Sequence, residues 1–227
     1  MIPALLIVAG FILGSIPVGY LIARSRGVDI RTVGSGNIGA TNVYRALGKG
    51  PGLLVFFLDV VKGLLPACAG AYWGGTTEWA FLAGAAAVVG HSFSPFLGFK
   101  GGKGIATGLG ALLGSVPLVA VSAFAVFFAV MTATMIVSLS SIAAGFSLAV
   151  FGIVYHQSVT LCVLFGLLGV YVLVRHRSNL TRVREKTEPQ FGQKPGEPPP
   201  ANGKGRLISA LLCGALIATA FAIHVYK

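Results

Sequence analysis

Long apolar runs separated by short polar, glycine-rich segments make up most of this chain. Residues 1–23, 51–77 and 79–99 form three such runs, each with two charged side chains at most. Each run reaches the roughly 20 residues that a membrane-spanning helix needs. Residues 104–174 then pass without any Asp, Glu, Lys or Arg. The pattern predicts an all-α, polytopic membrane protein.

The distribution of basic residues predicts how these runs are oriented. Fifteen of the 17 Lys and Arg residues lie in residues 24–50, 100–103 and 175–206, and cytoplasmic loops are where such residues accumulate. We therefore predict an outside N-terminus and three cytoplasmic basic segments. Residues 104–174 then start and end on the same side, so they cross an even number of times. Two crossings would give helices of about 53 Å for a hydrocarbon core of about 30 Å, so four are predicted.

Four crossings require three breaks within this charge-free stretch. Clusters of small and turn-forming residues predict the breaks near residues 114–117, 138–141 and 155–158. The first helix of the four, residues 105–113, is then too short to span alone, which is tolerated where protein shelters it. Seven spans result, and the apolar residues 207–226 would add an eighth.

Composition excludes several classes of protein. The chain is 55% hydrophobic and only 10% charged, whereas soluble domains carry about a quarter charged residues. A soluble enzyme domain and a disordered chain are therefore excluded. The net charge of +11 would indicate nucleic acid in a soluble protein, but here it reflects topology, so no nucleic acid partner is expected. No His, Cys or carboxylate cluster has metal-ligand spacing, so neither a metal nor a cofactor is predicted.

The first polar segment, residues 33–52, mixes glycines with hydroxyl and amide side chains. Ser35, Asn37 and Thr41 supply neutral hydrogen-bonding groups, and Arg45 follows one helical turn after Thr41. Such a set suits a phosphate, because neutral donors and one fork-shaped cation can surround it. An ordinary flexible loop of turn residues is the alternative.

The second polar segment, residues 90–108, has glycines around Lys100 and Lys103 and leads directly into a predicted helix. Backbone amides at a helix N-terminus beside ammonium groups form an anion site. A Walker A pattern cannot be aligned to it, which argues against a nucleotide hydrolase. A positive-inside topology anchor would explain the lysines but not the glycines.

The third polar segment, residues 175–192, would place His176, Asn179 and Arg182 on one face of a helix. A juxtamembrane basic stretch that binds anionic lipid headgroups is the alternative.

Within the second apolar run, Asp59 and Lys62 are one turn apart. Intramembrane ionisable groups are usually paired or functional, and we predict an ion pair that braces the cytoplasmic pocket.

Several kinds of catalysis are excluded by what the sequence lacks. None of the four histidines is followed five positions later by Asp, the charge-relay pair of many acyl-CoA acyltransferases. A GxSxG nucleophile elbow and an HExxH zinc motif are also absent. The site is therefore expected to work by anion binding and positioning.

Three runs of sequence carry a family resemblance, with LDVVKG at 58–63 as a further feature. They are SGNIGATNVYR at 35–45, GHSFSPFLGFKGGKGIAT at 90–107 and HRSNLTRVREKTEP at 176–189. In order and spacing they resemble the bacterial membrane glycerol-3-phosphate acyltransferases that use acyl phosphate, the PlsY family. The resemblance implies acyl transfer from acyl phosphate to glycerol 3-phosphate, giving lysophosphatidic acid and inorganic phosphate in the first acylation step of phospholipid synthesis. It also implies a seven-span bundle in the bacterial cytoplasmic membrane with a cytoplasmic active site.

The resemblance further implies roles for individual residues. Phosphate or glycerol hydroxyls would be bound by Ser35, Asn37, Thr41, Arg45, Lys100, Lys103, Asn179 and Arg182, with His91 near the pocket and Glu188 in support. His176, Ser35 and Lys103 are the predicted catalytic residues. We expect a substrate phosphate to take the glycerol hydroxyl proton while His176 positions the hydroxyl; His176 as the base is the alternative.

The expected partners are acyl phosphate and glycerol 3-phosphate as substrates, membrane lipid, and an enzyme that produces acyl phosphate. Residues 1–192 would form the transmembrane acyltransferase domain, followed by a Pro/Gly-rich cytoplasmic linker at 193–206 and an extra apolar helix at 207–227. A secondary transporter of a phosphorylated solute competes with this interpretation, but it would have a pocket near the midplane. A lipid-binding scaffold is a third hypothesis, which leaves the glycines and lysines of the second polar segment unexplained.

Overall fold

The computed structural model describes residues 2–193 of the 227-residue chain. The predicted linker beyond Gln193 and the predicted helix at 207–227 therefore lie outside the described residues. Between residues 2 and 193 the chain is helical and has no β-strand. It divides into two compact units, one ending at Pro117 and the other running from Leu118 to Gln193.

The first unit consists of six α-helices. They are α1 (Ile2–Ser15), α2 (Val18–Arg24), α3 (Ala40–Leu47), α4 (Lys49–Gly74), α5 (Thr77–Ser92) and α6 (Ile105–Ser115). Helix α4 packs against α1, α5 and α6. The backbones of α4 and α6 are so close that a Cβ at Gly63 or Gly110 would overlap a carbonyl oxygen of the other helix. This packing shelters the 11-residue α6, the short helix that the sequence predicts.

The first apolar run is broken at residues 15–17, where α1 ends and α2 begins. Pro17 has no backbone N–H and cannot continue a regular helix. The carbonyl oxygens at the break are bound by side chains from elsewhere in the unit. Ser94 Oγ donates to the Ser15 carbonyl at 2.6 Å, and Lys62 Nζ donates to the Ile16 carbonyl at 3.1 Å. The second polar segment and α4 thus both contact the break.

The second unit consists of four α-helices. They are α7 (Pro117–Thr134), α8 (Val137–Val154), α9 (Val159–Arg175) and α10 (Arg177–Arg184). Helix α8 packs along α9, and the short α10 contacts both. The chain bends by 56° between α9 and α10. His176 lies at this bend, where it is both the C-cap of α9 and the N-cap of α10.

Two of the three predicted breaks in the charge-free stretch are confirmed, at Val116 and at residues 155–158. The middle break is also present, but it lies at Met135 and Ile136, just before the predicted residues 138–141. Ser140 and Ser141 continue α8, since their hydroxyls donate to the carbonyls of residues four positions earlier. Met135 instead has a positive φ of 58°, whereas a right-handed α-helix requires a negative φ.

Within the described residues, five helical stretches are long and apolar enough to cross a membrane: Ile2–Arg24, Lys49–Gly74, Thr77–Leu97, Pro117–Thr134 and Val137–Val154. The bent pair α9 and α10 would make a sixth if it is counted as one span. Helix α6 falls below the length of a span. The residues between 2 and 193 thus have the all-helical, apolar architecture that the sequence predicts.

Candidate active site

The loop of the first polar segment is organised by one buried amide, Asn42 on α3. Its Nδ2 donates to the carbonyls of Val33 and Asn37, each at 2.9 Å, and to that of Ile30 at 3.3 Å. Its Oδ1 accepts from the Ser35 backbone N–H at 3.0 Å. A single side chain, 2% exposed, therefore closes the loop onto the helix that follows it.

The predicted binding residues of this segment line the loop and the start of α3. Ser35 is exposed, whereas Asn37, Thr41 and Arg45 are half-buried. Asn37 Oδ1 accepts from the Gly39 N–H at 2.8 Å, which forms a turn just before α3 begins. Thr41 and Arg45 follow one turn apart on α3, as the sequence predicts.

The turn that leads into this loop is held by a surface ion pair. Arg31 donates to Asp29 through Nε at 2.9 Å and Nη2 at 2.7 Å. These hydrogen bonds lower the pKa of Asp29 to about 2. The Arg31 guanidinium also lies 4.8 Å from the centre of the Tyr20 ring, at cation–π distance. Neither residue is among the predicted site residues.

Residues 98–104 of the second polar segment, which we call the lysine loop, fold back onto the end of α5. The Gly102 N–H donates to the His91 carbonyl at 3.0 Å, and the Gly101 N–H donates to the Ser92 carbonyl at 3.1 Å. Lys100 is exposed and Lys103 is half-buried. Helix α6 begins at Ile105, directly after this loop, so Lys103 lies beside the amides of a helix N-terminus.

Three ionisable side chains are buried beneath this loop, and we call Asp59, Lys62 and His91 the buried cluster. Asp59 Oδ1 lies 2.8 Å from Lys62 Nζ and 3.6 Å from His91 Nδ1. Each of the three residues is at most 4% exposed. The predicted ion pair between Asp59 and Lys62 is confirmed. The side chain of His91 is buried against the backbone of the loop at Gly102.

In the second unit, the third polar segment places His176 in a buried position, 2% exposed. Its Nδ1 lies 2.8 Å from the Val172 carbonyl oxygen. A carbonyl can only accept, so Nδ1 carries the proton in the neutral ring and Nε2 carries the lone pair. The geometry therefore defines which nitrogen of His176 can accept a hydrogen bond.

A carboxylate organises the rest of the third segment, and we call Glu188 with its three partners the Glu188 clamp. Glu188 Oε1 accepts from Asn179 Nδ2 at 2.6 Å and from Ser138 Oγ at 2.9 Å. Its Oε2 accepts from Arg182 Nε at 2.8 Å. The clamp thus joins α8, α10 and the chain that follows α10.

The comparisons with known proteins identify a family for this geometry. A profile described as glycerol-3-phosphate acyltransferase matches residues 4–186. The chain belongs to the glycerol-3-phosphate acyltransferase family. The match covers the first two polar segments completely and the third as far as residue 186, just after the end of α10.

Individual relatives agree with this assignment. The glycerol-3-phosphate acyltransferase of Geobacter sulfurreducens is 44% identical over 82% of this chain and 96% of the relative. That of Aquifex aeolicus is 43% identical over 82% and 97%. The crystal structure of PlsY (YgiH), an integral membrane glycerol 3-phosphate acyltransferase, in its glycerol 3-phosphate form is 42% identical, with a TM-score of 0.79 over 84% of this chain and 96% of that one. Its lysophosphatidic acid form gives 41% and 0.77.

This membership confirms the predicted resemblance, the acyltransferase class and the integral membrane architecture. Two side chains that organise this acyltransferase were missed as such, Asn42 and Ser138. The available signal for Asn42 was an amide beside the apolar Val43 on a short helix. Ser138 offered none, because serine is common where apolar helices begin.

Within the part of the chain that the structure describes, no three His, Cys, Asp or Glu side chains form a group that could hold a metal ion.

Proposed function

We propose that this chain transfers a fatty acyl group from acyl phosphate to glycerol 3-phosphate, producing lysophosphatidic acid and inorganic phosphate. Family membership carries the proposal, since relatives at 41–44% identity include a protein crystallised in glycerol 3-phosphate and lysophosphatidic acid forms. Acyl phosphate is supported as the donor by chemistry. Its leaving group is already anionic, so it requires cations more than a general acid, and cations are what the polar segments supply.

The first unit is proposed to bind phosphate through its two polar loops. Lys103 and Lys100 would bind a phosphate together with the first amides of α6, because an ammonium group and a helix N-terminus both favour an anion. Arg45 would add a bidentate contact. The neutral groups of the first loop, Ser35, Asn37 and Thr41, would bind phosphate or glycerol hydroxyls. Ser35 and Lys103 are proposed to contact the reacting groups.

The resemblance assigns the third segment to the same reaction, with Asn179 and Arg182 as binding residues that Glu188 supports. We propose that His176 positions the glycerol hydroxyl through Nε2 while a substrate phosphate takes the proton. The hydrogen-bond partner of Nδ1 is a neutral carbonyl oxygen, which does not offset the charge of an imidazolium as a carboxylate would. A substrate phosphate is close to the hydroxyl by necessity and titrates near neutrality.

We also propose a topology of seven spans, with the N-terminus outside and the polar segments facing the cytoplasm of a bacterial inner membrane. The five long stretches, the sheltered α6 and the bent α9–α10 pair would make up the seven. The concentration of Lys and Arg in the three segments supports this orientation. An eighth, dispensable span at residues 207–226 stays a prediction.

The test is an assay of the purified full-length protein in detergent with palmitoyl phosphate and glycerol 3-phosphate. We expect release of lysophosphatidic acid and phosphate, and no product with palmitoyl-CoA. Comparable rates with palmitoyl-CoA would contradict the proposed donor, and transport of glycerol 3-phosphate into liposomes without product would favour a transporter. In the same assay, His176→Gln should keep more than about a tenth of kcat if His176 positions the hydroxyl. A loss near a thousandfold would identify it as the base.

A further inference from the structure

The lysine loop rests on the imidazole ring of His91. A Cβ added to Gly102 would overlap Nε2 of that ring. Gly102 is not among the glycines with a positive φ, so its backbone conformation would accept an alanine. The ring is therefore what requires glycine at this position, and the contact fixes how closely the loop approaches the end of α5.

The other edge of the same ring faces the buried carboxylate. His91 Nδ1 lies 3.6 Å from Asp59 Oδ1, and this oxygen lies 2.8 Å from Lys62 Nζ. His91 is 4% exposed, so the structure leaves no open face of the ring for a substrate. Any effect of His91 on phosphate binding must therefore act through the loop.

The far side of the buried cluster is attached to the break in the first apolar run. Lys62 Nζ donates to the Ile16 carbonyl, and Ser94, which precedes the lysine loop, donates to the Ser15 carbonyl. The break, the middle of α4 and the end of α5 are thus joined to the loop by side-chain hydrogen bonds and ion contacts.

Charges in this position are not the most stable choice. Buried ion pairs pay for desolvation, and replacing them with apolar residues of similar size is often neutral or stabilising. Apolar side chains would therefore pack α4 against α5 at least as well. The presence of three ionisable groups beneath a lysine loop indicates a role in positioning that loop.

We propose that His91, held by the Asp59–Lys62 pair, is a positioning residue that fixes Gly102 and thereby Lys103 for binding a substrate phosphate. The proposal rests on the proposed function, which gives Lys103 that phosphate. His91 then determines where an ammonium group lies without touching substrate itself.

The first test is a cycle of Gly102→Ala, His91→Ala and the double variant. Gly102→Ala should lower kcat/KM at least tenfold, mainly by raising the KM for a phosphorylated substrate, because the added methyl displaces the loop from the ring. In the His91→Ala background the same change should cost less than twofold, since the obstacle is gone. Gly166→Ala on α9 is the matched control, because a Cβ there meets no atom within 4 Å.

The second test measures the loop without relying on turnover. Amine-reactive labelling followed by mass spectrometry gives the reactivity of Lys103 relative to the exposed Lys100. The ratio should change at least threefold in Gly102→Ala and in His91→Ala, and stay at the native value in Gly166→Ala. Additive losses of kcat/KM, or an unchanged ratio, would overturn the positioning proposal. A native protein that makes no lysophosphatidic acid would refute the proposed function instead, and the labelling would still decide on the contact.

Discussion

Each unit arranges polar groups around one carboxylate, but the two carboxylates differ in the charge and the solvent exposure of their partners. Asp59 in the buried cluster contacts Lys62 and His91, and all three are shielded from water. Glu188 binds Ser138 and Asn179, which are neutral, and the guanidinium of Arg182, whose side chain is 33% exposed. One carboxylate is thus neutralised inside a membrane span, and the other is bound largely by neutral donors beyond the end of a span.

The difference predicts which property each carboxylate controls. Removing a buried counter-ion leaves an unpaired charge in a medium of low dielectric, which lowers the free energy of unfolding substantially. Removing the partner of a partly exposed arginine returns that arginine to water, and the main loss is its orientation. Asp59 should therefore control folding as well as the loop above it, whereas Glu188 should control mainly the geometry of α10.

The largest effect is expected for Asp59→Asn. The variant leaves the Lys62 ammonium buried without its counter-ion, which should cost about 3–5 kcal/mol of unfolding free energy. The measurement is the unfolding midpoint of the purified protein in mixed micelles with increasing denaturing detergent. The matched control is Asp59→Asn combined with Lys62→Met, which removes both charges and should recover most of that loss while turnover stays low. Equal destabilisation of the single and double variants would show that the charge pair is not the cause.

A smaller effect on stability, and a clear one on turnover, is expected for Glu188→Gln. The amide oxygen can still accept hydrogen bonds, but the amide nitrogen cannot, so either Arg182 or the pair Asn179 and Ser138 faces a donor in place of an acceptor. Misplaced binding groups cost up to about a hundredfold in rate, so kcat/KM should fall by about ten- to a hundredfold. The unfolding midpoint should shift less than in Asp59→Asn.

Ser138→Ala is a milder perturbation of the same clamp than Glu188→Gln, because it removes one of the three donors and leaves the carboxylate charged. One hydrogen bond to a charged group contributes about 1.5–3 kcal/mol, and two of the three remain. Its loss of kcat/KM should therefore be smaller than that of Glu188→Gln. A Glu188→Gln protein with native kcat/KM, or one as unstable as Asp59→Asn, would contradict this division of roles.

The sequence predicts these two regions to different degrees. Asp59 and Lys62 could be paired in advance, because two opposite charges one turn apart in an apolar run have little choice of partner. His91 lies about 30 positions away, and its place beside them depends on how α4 packs against α5. Charge patterns indicate that a helix is amphipathic, but they do not indicate which neighbour it faces.

The same distinction explains the errors and omissions. The breaks at Val116 and at residues 155–158 follow from local turn chemistry, and they were predictable. The serines near residue 140 misled, because a serine within an apolar helix can bind its own backbone and extend the helix. Ser138 and Asn42 act on residues 50 and up to 12 positions away, and a residue type alone does not indicate such partners.

The smallest effect is expected for Asp29→Asn, which tests whether burial rather than pairing makes a carboxylate important. Asp29 also has a bidentate arginine partner, but it lies at the protein surface, where ion pairs contribute little. Its pKa is lowered to about 2, below an unfolded value near 3.9. Its contribution to stability is therefore fully present above pH 4 and is lost as the pH falls toward 2.

The unfolding midpoint of Asp29→Asn at pH 7 should be the closest to native of the three carboxylate variants, and the remaining difference should shrink between pH 4 and pH 2. A shift at pH 7 as large as that of Asp59→Asn would mean that pairing itself, and not the absence of water around the buried cluster, determines the cost.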